Sequence, residues 1–173
     1  YFGEGVATLS ATHRFTVTNM GAELGATTSI FPSDEQTKRY LEAQGRGDTW
    51  RELCGDKDAT YDELVEIDLD TLEPMIACPH SPDNVKKVRE VAGTKAAQAS
   101  IGSCTNSSYE DLAIVAAVLD GAMIPPDLAL TVTPGSRQVL DVIARTGGVW
   151  RMAFAGHARQ RRWSESRDFA RAR

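Results

Sequence analysis

No apolar run in this 173-residue chain approaches the roughly 20 residues that a membrane-spanning helix requires. Cysteine is scarce as well: Cys54, Cys78 and Cys104 are an odd number at wide spacings. That excludes a disulfide framework and fits a reducing compartment. The chain opens on Tyr1-Phe2-Gly3-Glu4-Gly5, without an initiator Met or the basic-then-apolar pattern of a secretory signal. Nothing in it argues for export, and the expected location is the cytoplasm. His13, His80 and His157 are the only histidines, and none stands in a recognisable relation to a cysteine. A cysteine nucleophile with a histidine base is therefore ranked last among the chemistries considered. What remains is ordinary for a globular protein, with 42% hydrophobic and 25% charged residues, enough for one domain or two small ones.

Positive charge is short over most of the chain and concentrated at its end. Residues 1–148 hold 12 Lys+Arg against 22 Asp+Glu, a balance of −10. Residues 149–173 hold seven Arg and no Lys against Glu165 and Asp168, a balance of +5. A basic arm of this kind can bind nucleic acid or an acidic surface. Its composition departs abruptly from what precedes it, at Gly148. The expectation is a disordered tail, read out of frame or carried by a degraded gene, rather than a nucleic-acid-binding arm.

Helix signals come early. The stretch from about Thr12 to Ile30 is rich in Ala, Gly, Thr and Met, and predicts a buried helix packed closely on neighbouring backbone. Ser33 and Gln36 stand in capping-box spacing ahead of a helix over 34–44, with Gly45 placed to close it. Val65-Glu66-Ile67-Asp68-Leu69 alternates apolar and acidic residues, which predicts a half-buried strand. Pro74, Pro79 and Pro82 break the chain, and a short helix is expected over about 83–91, ending at Gly93.

From Lys95 the pattern turns to strand, helix, strand, helix. Ala99-Ser100-Ile101 reads as a strand; Ser107 and Glu110 have capping-box spacing before a helix carrying Leu112, Val115, Ala116 and Leu119. Leu128-Ala129-Leu130-Thr131-Val132 reads as the next strand, and Ser136 caps a helix whose Val139, Val142 and Ile143 face inward. Short connections between such elements imply a parallel sheet with a crossover helix. The expected fold class is α/β, built as parallel-sheet α/β/α pieces. Three segments follow: 1–93, the end of one α/β domain; 94–148, a βαβα unit; and 149–173, the basic tail.

Cys104 sits where that α/β unit places ligands, between a strand and a helix N-terminus at the carboxyl edge of the sheet. Unpaired helix N–H groups and the macrodipole favour an anion there, hence thiolate, which serves both metal ligation and nucleophilic attack. Ser103, Thr105, Asn106 and Ser107 add hydroxyl and amide donors. On chemistry alone a lone cysteine is more often a small buried apolar residue than a ligand or a nucleophile.

The string Ile101-Gly102-Ser103-Cys104-Thr105-Asn106-Ser107-Ser108-Tyr109-Glu110-Asp111-Leu112 resembles the first cluster-cysteine motif of the aconitase and isopropylmalate dehydratase family. Asn19-Met20-Gly21-Ala22-Glu23-Leu24-Gly25-Ala26-Thr27-Thr28-Ser29 resembles a second stretch of the same family, in the same order. The resemblance covers about residues 6 to 146. It implies a hydro-lyase that isomerises citrate to isocitrate through cis-aconitate, by loss and return of water, with a small tricarboxylic acid as its partner. The implied cofactor is a [4Fe–4S] cluster held by three cysteines, its open iron serving as Lewis acid without redox change. Carried over residue by residue, Cys104 is a cluster ligand, Glu23 an acidic residue beside the open iron, and Asn19 a hydrogen-bonding neighbour one turn earlier. A carboxylate at Glu23 satisfied by its neighbours is the plain alternative.

The resemblance has a gap. The family's other two cluster cysteines stand in a Cys-Gly-Pro-Cys string beyond the Pro134-Gly135-Ser136 turn, and no cysteine follows Cys104. The chain alone is therefore expected to be inactive. The wording Ser108-Tyr109-Glu110-Asp111 favours aconitase over the alternatives, an isopropylmalate dehydratase or homoaconitase, or a non-catalytic remnant with a basic tail. Cys54 and Cys78 match no family ligand and are read as structural, and no membrane contact is expected.

Overall fold

The computed structural model describes residues 1–149 and Met152. The expected disordered tail thus lies, apart from Val149 and Met152, outside the described residues. Two units, Tyr1–Thr94 and Lys95–Arg173, each hold together by contacts of their own. The fold is mixed α/β, with helices, one antiparallel and one parallel pair of strands among the described residues.

In the first unit, helix α1 spans Ala11–Glu23, and the Ser10 hydroxyl accepts the His13 N–H at its start. The helix stops well short of Ile30. Gly25 takes φ +87, and the Gly25 and Ala26 N–H groups donate back to the Ala22 and Gly21 carbonyls. This left-handed closure satisfies the orphan carbonyls and turns the chain out of the helix, a conformation glycine adopts without a Cβ penalty. Nor is the helix buried: Ala11, Arg14 and Gly21 are, while Phe15, Met20 and Leu24 stand exposed. Helix α2 packs on it, and the segments around Val6, Leu9 and Pro32 meet it at Arg14.

Helix α2 spans Glu35–Ala43, and its cap is Asp34 rather than Ser33. The Asp34 carboxylate accepts the N–H groups of Gln36 and Thr37. Ser33 is occupied elsewhere, in an antiparallel bridge with Leu53 and with its hydroxyl donating to the Arg51 carbonyl. Gln36 reaches the Ala7 carbonyl instead of the cap. Gly45 closes α2 as its position suggested, with N–H groups of Gly45 and Arg46 returning to Glu42 and Leu41.

No strand forms over 65–69. Val65 and Ile67 are 73% and 63% exposed, and a 3-10 turn at Leu69–Thr71 follows. Alternation makes a strand only when a neighbour supplies the ladder, and these residues have none among those described. The helix expected over 83–91 is also absent. β1 (Met75–Ala77) pairs antiparallel with β2 (Val85–Lys87), and a 3-10 turn occupies Val88–Glu90. The Lys87 ammonium and the Arg89 guanidinium both meet the Glu73 carboxylate across this hairpin.

The second unit follows its sequence pattern closely. β3 (Gln98–Gly102) lies parallel to β4 (Ala129–Thr133), with Gln98 opposite Ala129 and Gly102 opposite Thr133. Helix α3 (Tyr109–Val118) forms the crossover and packs on α4 (Arg137–Arg145). Leu112, Ala116 and Ile143 are at most 2% exposed and make the core. Val139 and Val142 are half-buried, on the same side of α4 as Ile143. Beside β4, Leu130, Val132, Leu140 and Ile143 line an open apolar groove of about 520 Å³.

Candidate functional site

Cys104 lies in the turn that carries the chain from β3 to α3. β3 ends at Gly102, where φ is +123, and Ser103 follows at φ +77. A Cβ on Gly102 would run into the Thr133 backbone at the end of β4. The Ser103 N–H then donates to the Thr133 carbonyl at 3.2 Å. The strand end is thus pressed against its neighbour, and the following residue is thrown outward. Cys104 is exposed there, its Sγ 3.8 Å from the Thr105 hydroxyl. A serine in the left-handed region costs of order 1 kcal/mol, strain of a kind that collects at functional turns.

Two serines divide the work of holding this turn. Ser108 is the cap of α3: its hydroxyl accepts the Asp111 N–H, and the Asp111 carboxylate accepts the Ser108 N–H. The capping box is therefore Ser108–Asp111, one residue along from the expected Ser107–Glu110. Ser107 is instead 4% exposed, its hydroxyl donating to the Ser103 carbonyl. Its carbonyl accepts the Gly135 N–H at 3.1 Å, from the turn that follows β4. On the other side of that turn Ser136 caps α4, its hydroxyl accepting the Val139 N–H at 3.1 Å.

Asn19 and Glu23 belong to the first unit. They stand four positions apart near the end of α1, hence on one face a turn apart. Glu23 is exposed and Asn19 half-buried.

Sequence reasoning missed the most heavily bonded side chain of this unit. Arg14 is 3% exposed, and its guanidinium donates to the carbonyls of Val6, Leu9 and Pro32. It also grips both oxygens of Asp34, at 2.8 and 2.7 Å. That guanidinium, by its hydrogen bonds, holds the Asp34 carboxyl below its ordinary value of 3.8. Aspartate directly ahead of a helical run is itself a cap signal, and the serine–glutamine spacing at Ser33 and Gln36 masked it. In the hairpin, the hydrogen bond to Glu73 holds the Lys87 ammonium above its ordinary 10.5.

A four-iron cluster with one open iron needs three thiolates. The second unit contains one cysteine, Cys104, while Cys54 and Cys78 lie in the first. Among the described residues no group of three His, Cys, Asp or Glu side chains is arranged to hold a metal. The donor set of this chain fits one ligand of such a cluster and does not fit the whole of it.

The sequence matches the Aconitase family (aconitate hydratase) over residues 1–158. The chain belongs to this family. It is 47% identical over 166 residues to the mitochondrial aconitate hydratase of Saccharomyces cerevisiae, covering 85% of this chain and 21% of that protein. It is 42% identical over 158 residues to 3-isopropylmalate dehydratase large subunit 2 of Rubrobacter xylanophilus, covering 86% and 37%. The mitochondrial homocitrate dehydratase of Saccharomyces cerevisiae is 42% identical over 168 residues, with 85% and 21% covered. The chain therefore spans between a fifth and somewhat over a third of these relatives' lengths. No helix among the described residues is long and apolar enough to cross a membrane.

Proposed function

We propose that this chain is part of a [4Fe–4S] hydro-lyase of aconitase type, one that interconverts citrate and isocitrate through cis-aconitate. The observation that carries the reading is the placement of Cys104: an exposed thiol at the carboxyl end of a parallel strand, in a chain of the Aconitase family. In this reading Cys104 supplies one thiolate ligand, and two more come from outside these 173 residues. The exposed Glu23 carboxylate and the Asn19 amide, one turn apart on α1, serve as the acidic and hydrogen-bonding groups facing the substrate. The substrate is a small tricarboxylic acid, and the proposed location is the cytoplasm.

Two relatives favour a second substrate class, since the 3-isopropylmalate dehydratase and homocitrate dehydratase both reach 42% identity. The Ser108-Tyr109-Glu110-Asp111 wording and the higher identity to an aconitate hydratase support citrate.

A segment exchange tests the ligand assignment. Residues 1–146 replace the matching segment of the yeast aconitate hydratase, and iron and sulfide are quantified alongside turnover. The exchanged protein is expected to keep both, and Cys104→Ser is expected to lose both. Retention of a full cluster in the Cys104→Ser protein would sink the assignment. Substrate is read separately, by assaying the product of the reading frame that contains this chain on citrate and on 3-isopropylmalate. Turnover of the second alone would move the protein to the other branch.

A further inference from the structure

The turn that carries Cys104 is held by a contact that capping does not explain. Ser107 is buried to 4% exposure, unusual for a serine, and every polar group it has is engaged. Its hydroxyl donates back to the Ser103 carbonyl, so the hydrogen bond brackets Cys104 within a ring of five residues. Its N–H donates to the Thr105 carbonyl at 2.9 Å, tightening the same turn from inside. Its carbonyl accepts the Gly135 N–H, joining the turn to the loop after β4. Gly135 lies so close that a Cβ there would overlap the Ser107 hydroxyl. Helix α3 has its own complete cap in Ser108 and Asp111, so Ser107 is not needed for that end.

We propose that Ser107 and Gly135 form a clasp that fixes the conformation of the Cys104 turn, Ser107 acting as a positioning residue for the thiol. One loop supplies the buried hydroxyl, and the other supplies the absence of a side chain that lets the hydroxyl sit there. The consequence for function rests on Cys104 being the functional thiol. The clasp itself is a property of the turn, present before any ligand arrives.

The test uses the full 173-residue chain and two variants. Ser107→Ala removes the donor, and Gly135→Ala wedges the loops apart. Alkylation of each cysteine by iodoacetamide is followed by peptide mass spectrometry, with Cys54 as the internal reference, and amide hydrogen exchange is read over α3. Both variants are expected to raise the Cys104 rate at least threefold relative to Cys54, with exchange in the α3 interior unchanged. A Cys104 rate within twofold of the parent in both variants would overturn the clasp. So would a rise accompanied by loss of α3 protection, since Ser107 would then be supporting the fold rather than the turn. The outcome is independent of iron: the segment exchange decides the ligand role, and alkylation decides the clasp.

Discussion

Arg14 and Asp34 meet through two parallel hydrogen bonds, and Asp34 uses the same carboxylate to cap α2. One side chain thus joins the two helices of the first unit and starts the second of them. The arginine it holds is buried, with carbonyls of Val6, Leu9 and Pro32 taking its other donors.

Removing Asp34 leaves a buried guanidinium without its counter-charge and α2 without its cap. Because Asp34 is itself partly exposed, loss of the pair is expected to cost less than the about 3–5 kcal/mol of a fully buried one, with about 1 more for the cap. Asp34→Ala is expected to unfold the first unit at markedly lower denaturant, by urea titration followed by circular dichroism. Ser33→Ala, at the position the sequence suggested as cap, is expected to cost far less.

The same pair sets an acid limb. Because the folded Asp34 carboxyl lies below 3.8, the stability it contributes is fully present above that value and is lost as pH falls through the folded one. Thermal denaturation followed from pH 6 down to about pH 2 should show this loss. In Asp34→Asn that part of the pH dependence should disappear. A limb of unchanged steepness in the variant would place its origin in other carboxylates.

The start of α3 offers a sharper contest, between the box it forms, Ser108–Asp111, and the one its spacing suggested, Ser107–Glu110. Ser108→Ala removes a complete capping box and is expected to destabilise the second unit by about 1 kcal/mol. Glu110→Gln, which alters the box partner that spacing alone suggested, is expected to change stability by less than about 0.5 kcal/mol. Chemical denaturation of both variants measures the difference.

Leu112, on the inner face of α3, is fully buried. Truncation to alanine is expected to cost about 2–5 kcal/mol. Cys104→Ser, at an exposed position of the same unit, is expected to leave stability within about 0.5 kcal/mol of the parent. A large loss in that variant would mean the thiol is part of the packing.

The second unit was far more legible from its residues than the first, for a physical reason. β3, α3, β4 and α4 are specified by near neighbours: apolar residues at strand or helix period, and a cap at each helix start. The errors there were single-residue ones, as when Ser107 and Ser108 offer the same cap chemistry and only geometry chooses. In the first unit the decisive bonds span distance in the chain, from Arg14 to Asp34 and from Ser33 to Leu53, and no local pattern announces them. Val65 to Leu69 shows the opposite failure. Its alternation is a sound strand pattern, but a strand also needs a ladder partner, which a pattern within five residues does not contain. The place of Cys104, on the turn between β3 and α3, was legible because a strand pattern precedes it and a capped helix pattern follows. The Ser107–Gly135 contact was not, since nothing in a serine's neighbours reveals which glycine it will meet.

The bridge between Ser33 and Leu53 has a bearing on how this protein can vary. Its paired hydrogen bonds, at 2.7 and 3.1 Å, bring the chain back beside its own starting point after the excursion through α2. Both ends of that excursion are held at one spot, while α2 inside it stays tied to Phe15 through Tyr40 and to the Ala7 carbonyl through Gln36. A tag or a reporter grafted into this excursion is therefore expected to be tolerated in the turn over residues 44–48, after α2, and not within the helix.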